Sequence, residues 1–95
     1  MSIGIYKITN KINGKSYIGL SSNIEERFKK HHQMQGEKVL YSAFKKYGIE
    51  NFDFSILEYC SLERLAEREK YWIAYYDTYN NGYNATLGGD GQCLI

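Results

Sequence analysis

Two tyrosines sit in near-mirror triplets, Gly4-Ile5-Tyr6 and Tyr17-Ile18-Gly19, with ten residues between the phenols. Further on, Arg27 and His31 are four residues apart. Glu69 stands inside an otherwise apolar series, with Leu65 one helical turn before it and Ile73 one turn after. Each feature has an ordinary explanation: a cross-strand aromatic cluster with glycines easing the twist, a basic surface face, a buried ion pair. Each also departs from what a plain small domain needs. Glycine inside a strand weakens it and often marks the close approach of a ligand. A cation beside a group that changes charge near neutral pH suits a phosphate. A carboxylate on an apolar stripe must be paired, bound to metal or turned into a cleft. Phosphodiester hydrolysis uses this combination: a base for water, a cation for the growing negative charge and a carboxylate for a divalent metal.

The elements that must position these groups follow from local pattern. Residues 3–9 and 15–20 alternate as two strands, and Asn13-Gly14 between them is a hairpin signal because both residues accept positive φ. Asn10 is a second candidate for the start of the turn. A register pairing even positions with odd ones puts Tyr6, Tyr17, Gly4 and Gly19 on one face. Asn23 caps a helix, with Glu26 at its third position, and Ile24 and Phe28 form its apolar side. After a polar break at Gln35-Gly36, a second helix presents Leu40, Ala43, Phe44 and Tyr47, and Gly48 ends it. Residues 51–59 alternate, with Phe52, Phe54 and Ile56 on one face. Ser61 is expected to cap the last helix, whose stripe is Leu62, Leu65, Ala66, Trp72, Ile73 and Tyr76. Glu63, Arg64, Glu67, Arg68 and Lys70 fall on its solvated side. After Asp77, Asn, Gly and Thr dominate, which reads as loop or linker. This order predicts an α+β fold, a three-stranded antiparallel sheet flanked by about three helices.

At 95 residues the chain is one domain, of a size that buries only about 60–65% of its unfolded surface. The net charge is +1, but residues 1–50 hold nine Lys/Arg against four Asp/Glu, and residues 51–95 hold three against seven. A polyanion contact is therefore expected in the first half. No apolar run approaches the ~18 residues of a membrane helix, and the start carries no signal-peptide pattern. Cys60 and Cys93 are too few and too far apart for a disulfide framework or a zinc site, which fits a reducing intracellular setting. The ten tyrosines suit half-buried positions, where the ring packs and the hydroxyl finds a partner.

Taken in order, these residues resemble the GIY-YIG nuclease family, and most of all the catalytic domain of phage and intron-encoded homing endonucleases. Gly4-Ile5-Tyr6 and Tyr17-Ile18-Gly19 match its two signatures, and Arg27 and His31 its first helix. Residues 46–58 are similar to its third-strand stretch, residues 67–73 to the segment with its glutamate, and Gly82-Tyr83-Asn84 to its late asparagine. The resemblance implies a catalytic domain over residues 1–84, with residues 85–95 as a tail or the start of a linker. It implies hydrolysis of double-stranded DNA with a single Mg²⁺ or Mn²⁺ bound by Glu69. Tyr6 would serve as or support the base, and His31 would receive that proton or orient the phenol. Arg27 would neutralise the phosphorane, Tyr17 would order water or phosphate oxygens, and Asn84 would position the end of the site. Gly4 and Gly19 would leave room for a sugar-phosphate backbone. It further implies a monomer inside a phage or bacterial host. Two other readings stay open: a nucleic-acid-binding module without activity, and a restriction or repair nuclease. The complete set of candidate residues speaks against the first, and the Leu87-Gly88-Gly89-Asp90 tail favours homing over the second.

Overall fold

The computed structural model describes residues 2–33 and 38–88. The expected break at Gln35-Gly36 and the end of the expected linker, with Cys93, lie outside the described residues. β1 (Gly4–Asn10) and β2 (Ser16–Ser21) form a hairpin, and β3 (Phe52–Tyr59) pairs with the other side of β1. The sheet is antiparallel throughout, in the order β2-β1-β3. Three main helices accompany it: α1 (Ile24–His32), α2 (Lys38–Tyr47) and α3 (Leu65–Tyr76), followed by the short α4 (Thr78–Asn81). This is the α+β arrangement expected from the pattern.

The hairpin turn begins at Asn10. Its backbone N–H donates to Lys15 (2.8 Å), and its carbonyl accepts from Gly14 (2.8 Å). Within this loop only Gly14 takes a positive φ, +79°, while the Asn13 side chain accepts the Lys15 N–H (2.9 Å). The parity nevertheless comes out as anticipated. Tyr6 lies opposite Gly19 and Tyr17 opposite Ile8, so both phenols and both signature glycines share one face.

Strand alternation then divides the core in two. On the phenol face, Tyr6, Ile8, Tyr17 and Phe52 pack with Ile24 of α1 and with Leu40, Tyr41 and Phe44 of α2. On the opposite face, Ile5 and Ile18 pack with Leu65 and Ile73 of α3. Each of these large apolar side chains contributes about 1.5–3 kcal/mol when fully buried. The caps set the helix limits. The Asn23 side chain accepts the Glu26 N–H (3.2 Å) at the start of α1. Gly48, at φ +87°, donates its N–H to Phe44 (2.9 Å) and ends α2.

The last third differs from expectation. Ser61 leads a 3₁₀ turn, Leu62–Arg64, makes no side-chain cap bond, and α3 starts only at Leu65. The tighter turn breaks the helical phase, so Leu62 is exposed and lies outside the buried stripe. Tyr76 is exposed as well; it stacks on Trp72 and carries the Lys7 ammonium 4.4 Å above its ring. Arg68 is not a solvated charge. Its Nε donates to both oxygens of Glu58 (2.8 and 3.0 Å), and Trp72 Nε1 donates to the same carboxylate (2.9 Å). Asp77, left-handed at φ +53°, ends α3. Its carboxylate then accepts from the side-chain amides of Asn80 and Asn81, which explains why this Asn-rich stretch forms α4 rather than a loop.

Candidate active site

Helical geometry places Arg27 and His31, one turn apart, on the same side of α1. The hairpin register sets Tyr6 and Tyr17 side by side, with ring centroids 6.3 Å apart. The two pairs meet where α1 crosses the phenol face. His31 is fully buried, at 0% exposure. Its Nε2 is hydrogen-bonded to the Tyr6 hydroxyl (2.7 Å) and its Nδ1 to the Tyr41 hydroxyl (3.0 Å). Around them Phe28 meets the Tyr6 ring edge-on (centroids 5.3 Å apart), and Tyr17 meets the His31 ring (5.8 Å).

The electrostatics follow from this enclosure. Burial, then the nearby charge of Arg27 and of His32, depresses the His31 pKa to about 4. The ring is therefore neutral at pH 7. Burial would also favour a neutral Arg27, but the phenols outweigh it. Tyr6, which is hydrogen-bonded to the guanidinium, contributes most, then Tyr17 and Tyr41, and the net effect raises the arginine pKa. A permanent cation thus lies beside buried phenols, where it stabilises any anion that forms.

The two glycines have a different purpose from the one expected. A Cβ at Gly19 would overlap the end of the Tyr6 ring, Cζ and hydroxyl included, and a Cβ at Gly4 would overlap the Glu58 carbonyl. Both residues are buried. The space above them is filled by the protein itself, so they do not hold open a path for substrate. At Gly4 the cause is the irregular β1–β3 pairing between Ile5 and Tyr6, which brings the Glu58 backbone close. At Gly19 it is the Tyr6 ring lying across the neighbouring strand.

Asn84 sits at the outer edge of β2. Its Oδ1 accepts the Ile18 N–H and its Nδ2 donates to the Ile18 carbonyl, both at 2.8 Å. The amide copies a peptide group and ties the chain after α4 to the strand edge, with help from the Tyr83 N–H to Ser16 (2.9 Å). Glu69 is half-buried on α3, on the Ile5–Ile18 side of the sheet. Gly88, at φ +77°, passes over it so closely that a Cβ there would come within 2.9 Å of Glu69 Oε1 and 2.7 Å of Ile73. Tyr6, Tyr17 and His31 meet in one cluster with Arg27 beside them, while Asn84 is tied to the β2 edge and Glu69 comes from α3, the helix packed on Ile5 and Ile18. Among the described residues, no three His, Cys, Asp or Glu side chains are grouped to hold a metal. The Glu69 carboxylate is a hard oxygen donor of the kind Mg²⁺ accepts when phosphate oxygens and water complete its shell.

Pattern reading passed over Tyr41, which lies beside the Leu40–Phe44 stripe of α2. The available signal was a phenol at i−3 from Phe44 on an otherwise apolar helix side.

A sheet of this topology with Gly-Ile-Tyr and Tyr-Ile-Gly on its central hairpin and an Arg–His helix laid across it defines a class. Residues 2–84 match the GIY-YIG catalytic domain, and the chain belongs to that family. It is similar to Intron-associated endonuclease 1 of Enterobacteria phage T4, 37% identical over 98 residues, covering 93% of this chain and 40% of that protein. Another T4 relative, segB, is 44% identical over 92 residues, covering 90% of this chain and 38% of its own length. The chain thus spans about two fifths of these curated relatives. The solved catalytic domain of the homing endonuclease I-TevI superposes with a TM-score of 0.81 at 33% identity, covering 88% of this chain and 98% of that one. No helix among the described residues is long and apolar enough to cross a membrane.

Proposed function

We propose that residues 1–84 act as a metal-dependent endonuclease domain that hydrolyses phosphodiester bonds of double-stranded DNA, as a monomer and in a homing role. One observation carries this reading: a phenol, Tyr6, is held between a permanent cation, Arg27, and a buried neutral imidazole, His31. Hydrolysis forms a bond from a water oxygen to phosphorus, breaks the bond to the leaving sugar oxygen and moves a water proton to a base. Tyr6 as phenolate is that base, and the adjacent guanidinium favours its negative charge. His31 orients the phenol. A ring that protonates only near pH 4 is a poor proton store at pH 7. Arg27 also offsets charge on the pentavalent phosphorus, and Tyr17 orders water or phosphate oxygens beside it. Glu69 would hold the single Mg²⁺ or Mn²⁺, which when bound polarises a phosphate oxygen. A DNA backbone laid along the β2 edge of the sheet would engage both the phenol cluster and Glu69 of α3. Asn84 serves this edge from beneath, through Ile18. The homing role rests on the intron-associated and homing relatives.

Nicking of supercoiled plasmid, with Mg²⁺ and with chelator, tests the proposal. Tyr6→Phe and Arg27→Ala should each lower cleavage by ~10²–10⁴, the scale of a lost base or charge stabiliser. Glu69→Ala should abolish metal-stimulated cleavage while the thermal melt persists, because the lost carboxylate is half-buried rather than part of the core. Undiminished cutting by Glu69→Ala would remove it as the metal ligand. A Tyr6→Phe defect explained by unfolding would return the tyrosines to packing. Wild-type protein that binds DNA under these conditions without cutting would favour the module without activity.

A further inference from the structure

We propose that Tyr41 is a positioning residue of this site: its hydroxyl oxygen accepts the Nδ1–H of His31 and thereby keeps Nε2 a bare acceptor aimed at the Tyr6 hydroxyl. The inference rests on the function proposed above and adds to it a residue of α2 that the family signatures do not contain. Three buried groups lie in a row, Tyr6, His31 and Tyr41, linked at 2.7 and 3.0 Å. A neutral imidazole has one N–H and one lone pair. The row can therefore run in only two directions. Either Tyr6 donates to Nε2 and Nδ1 donates to Tyr41, or Tyr41 donates to Nδ1 and Nε2 donates to Tyr6.

Arg27 selects between them. Its guanidinium lies toward the Tyr6 end of the row, since of the three phenols Tyr6 acts on it most strongly and Tyr41 least. Arginine only donates, so the Tyr6 oxygen is an acceptor toward it. In the first direction every N–H and O–H dipole in the row points its hydrogen away from that cation. In the second, each points its hydrogen toward the cation. At these distances in a low-dielectric interior the first is strongly favoured, and polarisation along the row strengthens it. In the first direction the neutral phenol rests its hydrogen on Nε2 and turns its oxygen lone pairs toward Arg27, and the reactive phenolate forms when that proton is lost to solvent, with the guanidinium holding the charge. Tyr41 supplies the fixed acceptor that holds the ring proton on Nδ1. It thus decides the tautomer as the third member of a hydrolytic triad does, without touching substrate.

Nitrogen-15 NMR of the imidazole rings tests this without any substrate. The chain has two histidines, and His32→Gln assigns the His31 signals. Wild-type protein at pH 7 should show His31 with a protonated Nδ1 and a bare Nε2. Tyr41→Phe keeps the ring and removes the acceptor, so His31 should lose the single Nδ1–H form and populate Nε2–H. In the same variant kcat for plasmid nicking should fall about 10–100-fold, the scale of losing an outer partner that orients a site residue, with KM for DNA unchanged. A structural role alone would lower the melting temperature and leave the tautomer as it was. An Nε2–H tautomer in the wild type overturns the proposal. So does an unmixed Nδ1–H form, or undiminished kcat, in folded Tyr41→Phe. If Tyr6→Phe cuts DNA normally, the proposed function fails instead, while the tautomer result still stands by itself.

Discussion

Acidification from pH 7.5 to 5 should destabilise the fold by about 2 kcal/mol through His31 alone. The ring has an ordinary pKa of 6.5 and a folded value of about 4. As the pH falls through 6.5 the unfolded chain takes up a proton that the folded chain refuses. The unfolded state then binds more protons, so stability rises with pH across this window and is lost on descent. The stabilisation is complete above pH 6.5, and its full loss, below pH 4, is about 3 kcal/mol at 1.36 kcal/mol per pH unit. Tyr6, Tyr17, Tyr41, Arg27 and His32 surround the ring, and among the described residues no carboxylate contributes to its titration. Two carboxylates with perturbed pKa values act in a lower window. Glu25 is held below its ordinary 4.5 by the Ser2 hydroxyl. Glu58 is held below 4.5 despite its burial, by hydrogen bonds from Trp72 and Arg68. Their stabilisation is present above 4.5 and is lost only as the pH falls below that value. Melts at pH 7.5, 6 and 5 should therefore show the wild-type midpoint dropping by roughly 8–16 °C, at about 4–8 °C per kcal/mol for a domain of this size. His31→Gln, with nothing to titrate there, should lack that slope. Direct NMR titration of the wild-type ring gives the same quantity without a variant. Parallel wild-type and variant melts, or a His31 midpoint near 6.5, would refute the reasoning.

Gly19→Ala should destabilise the domain by about 1–3 kcal/mol, the usual scale of overpacking, because the new methyl occupies the place of the Tyr6 ring end. Cleavage should fall further than stability accounts for, since the displaced ring breaks the Tyr6–His31 bond; full activity would show that the ring relaxes freely. The 95-residue chain, with its modest basic half, should bind random duplex at roughly 10⁻⁴–10⁻⁶ M and weaken further with salt. Nanomolar, sequence-selective binding in a salt-series titration would show that this domain reads the target itself.

What the sequence determined by itself is what depends on local period. Alternation with period two settled the shared face of Tyr6, Tyr17, Gly4 and Gly19, because the four-residue loop between Asn10 and Lys15 keeps the same odd–even pairing as a two-residue Asn13-Gly14 turn; a loop of odd length would have flipped it. Helical period put Arg27 with His31 and placed Glu69 between Leu65 and Ile73, and the Asn23 cap and Gly48 stop bounded two helices through contacts only a few residues long. Tertiary structure decided whatever depends on groups meeting across a large separation. Tyr41 reaches His31 from a different helix, Asn84 finds Ile18 from 66 residues away, and the emptiness implied by Gly4 and Gly19 turned out to be filled by Glu58 and Tyr6. The phase of α3 belongs with these, since the 3₁₀ turn before Leu65 removed Leu62 from the stripe. A period says which way a side chain points along its own element. Which atoms already occupy that space is set by close packing among elements whose separations no local pattern encodes.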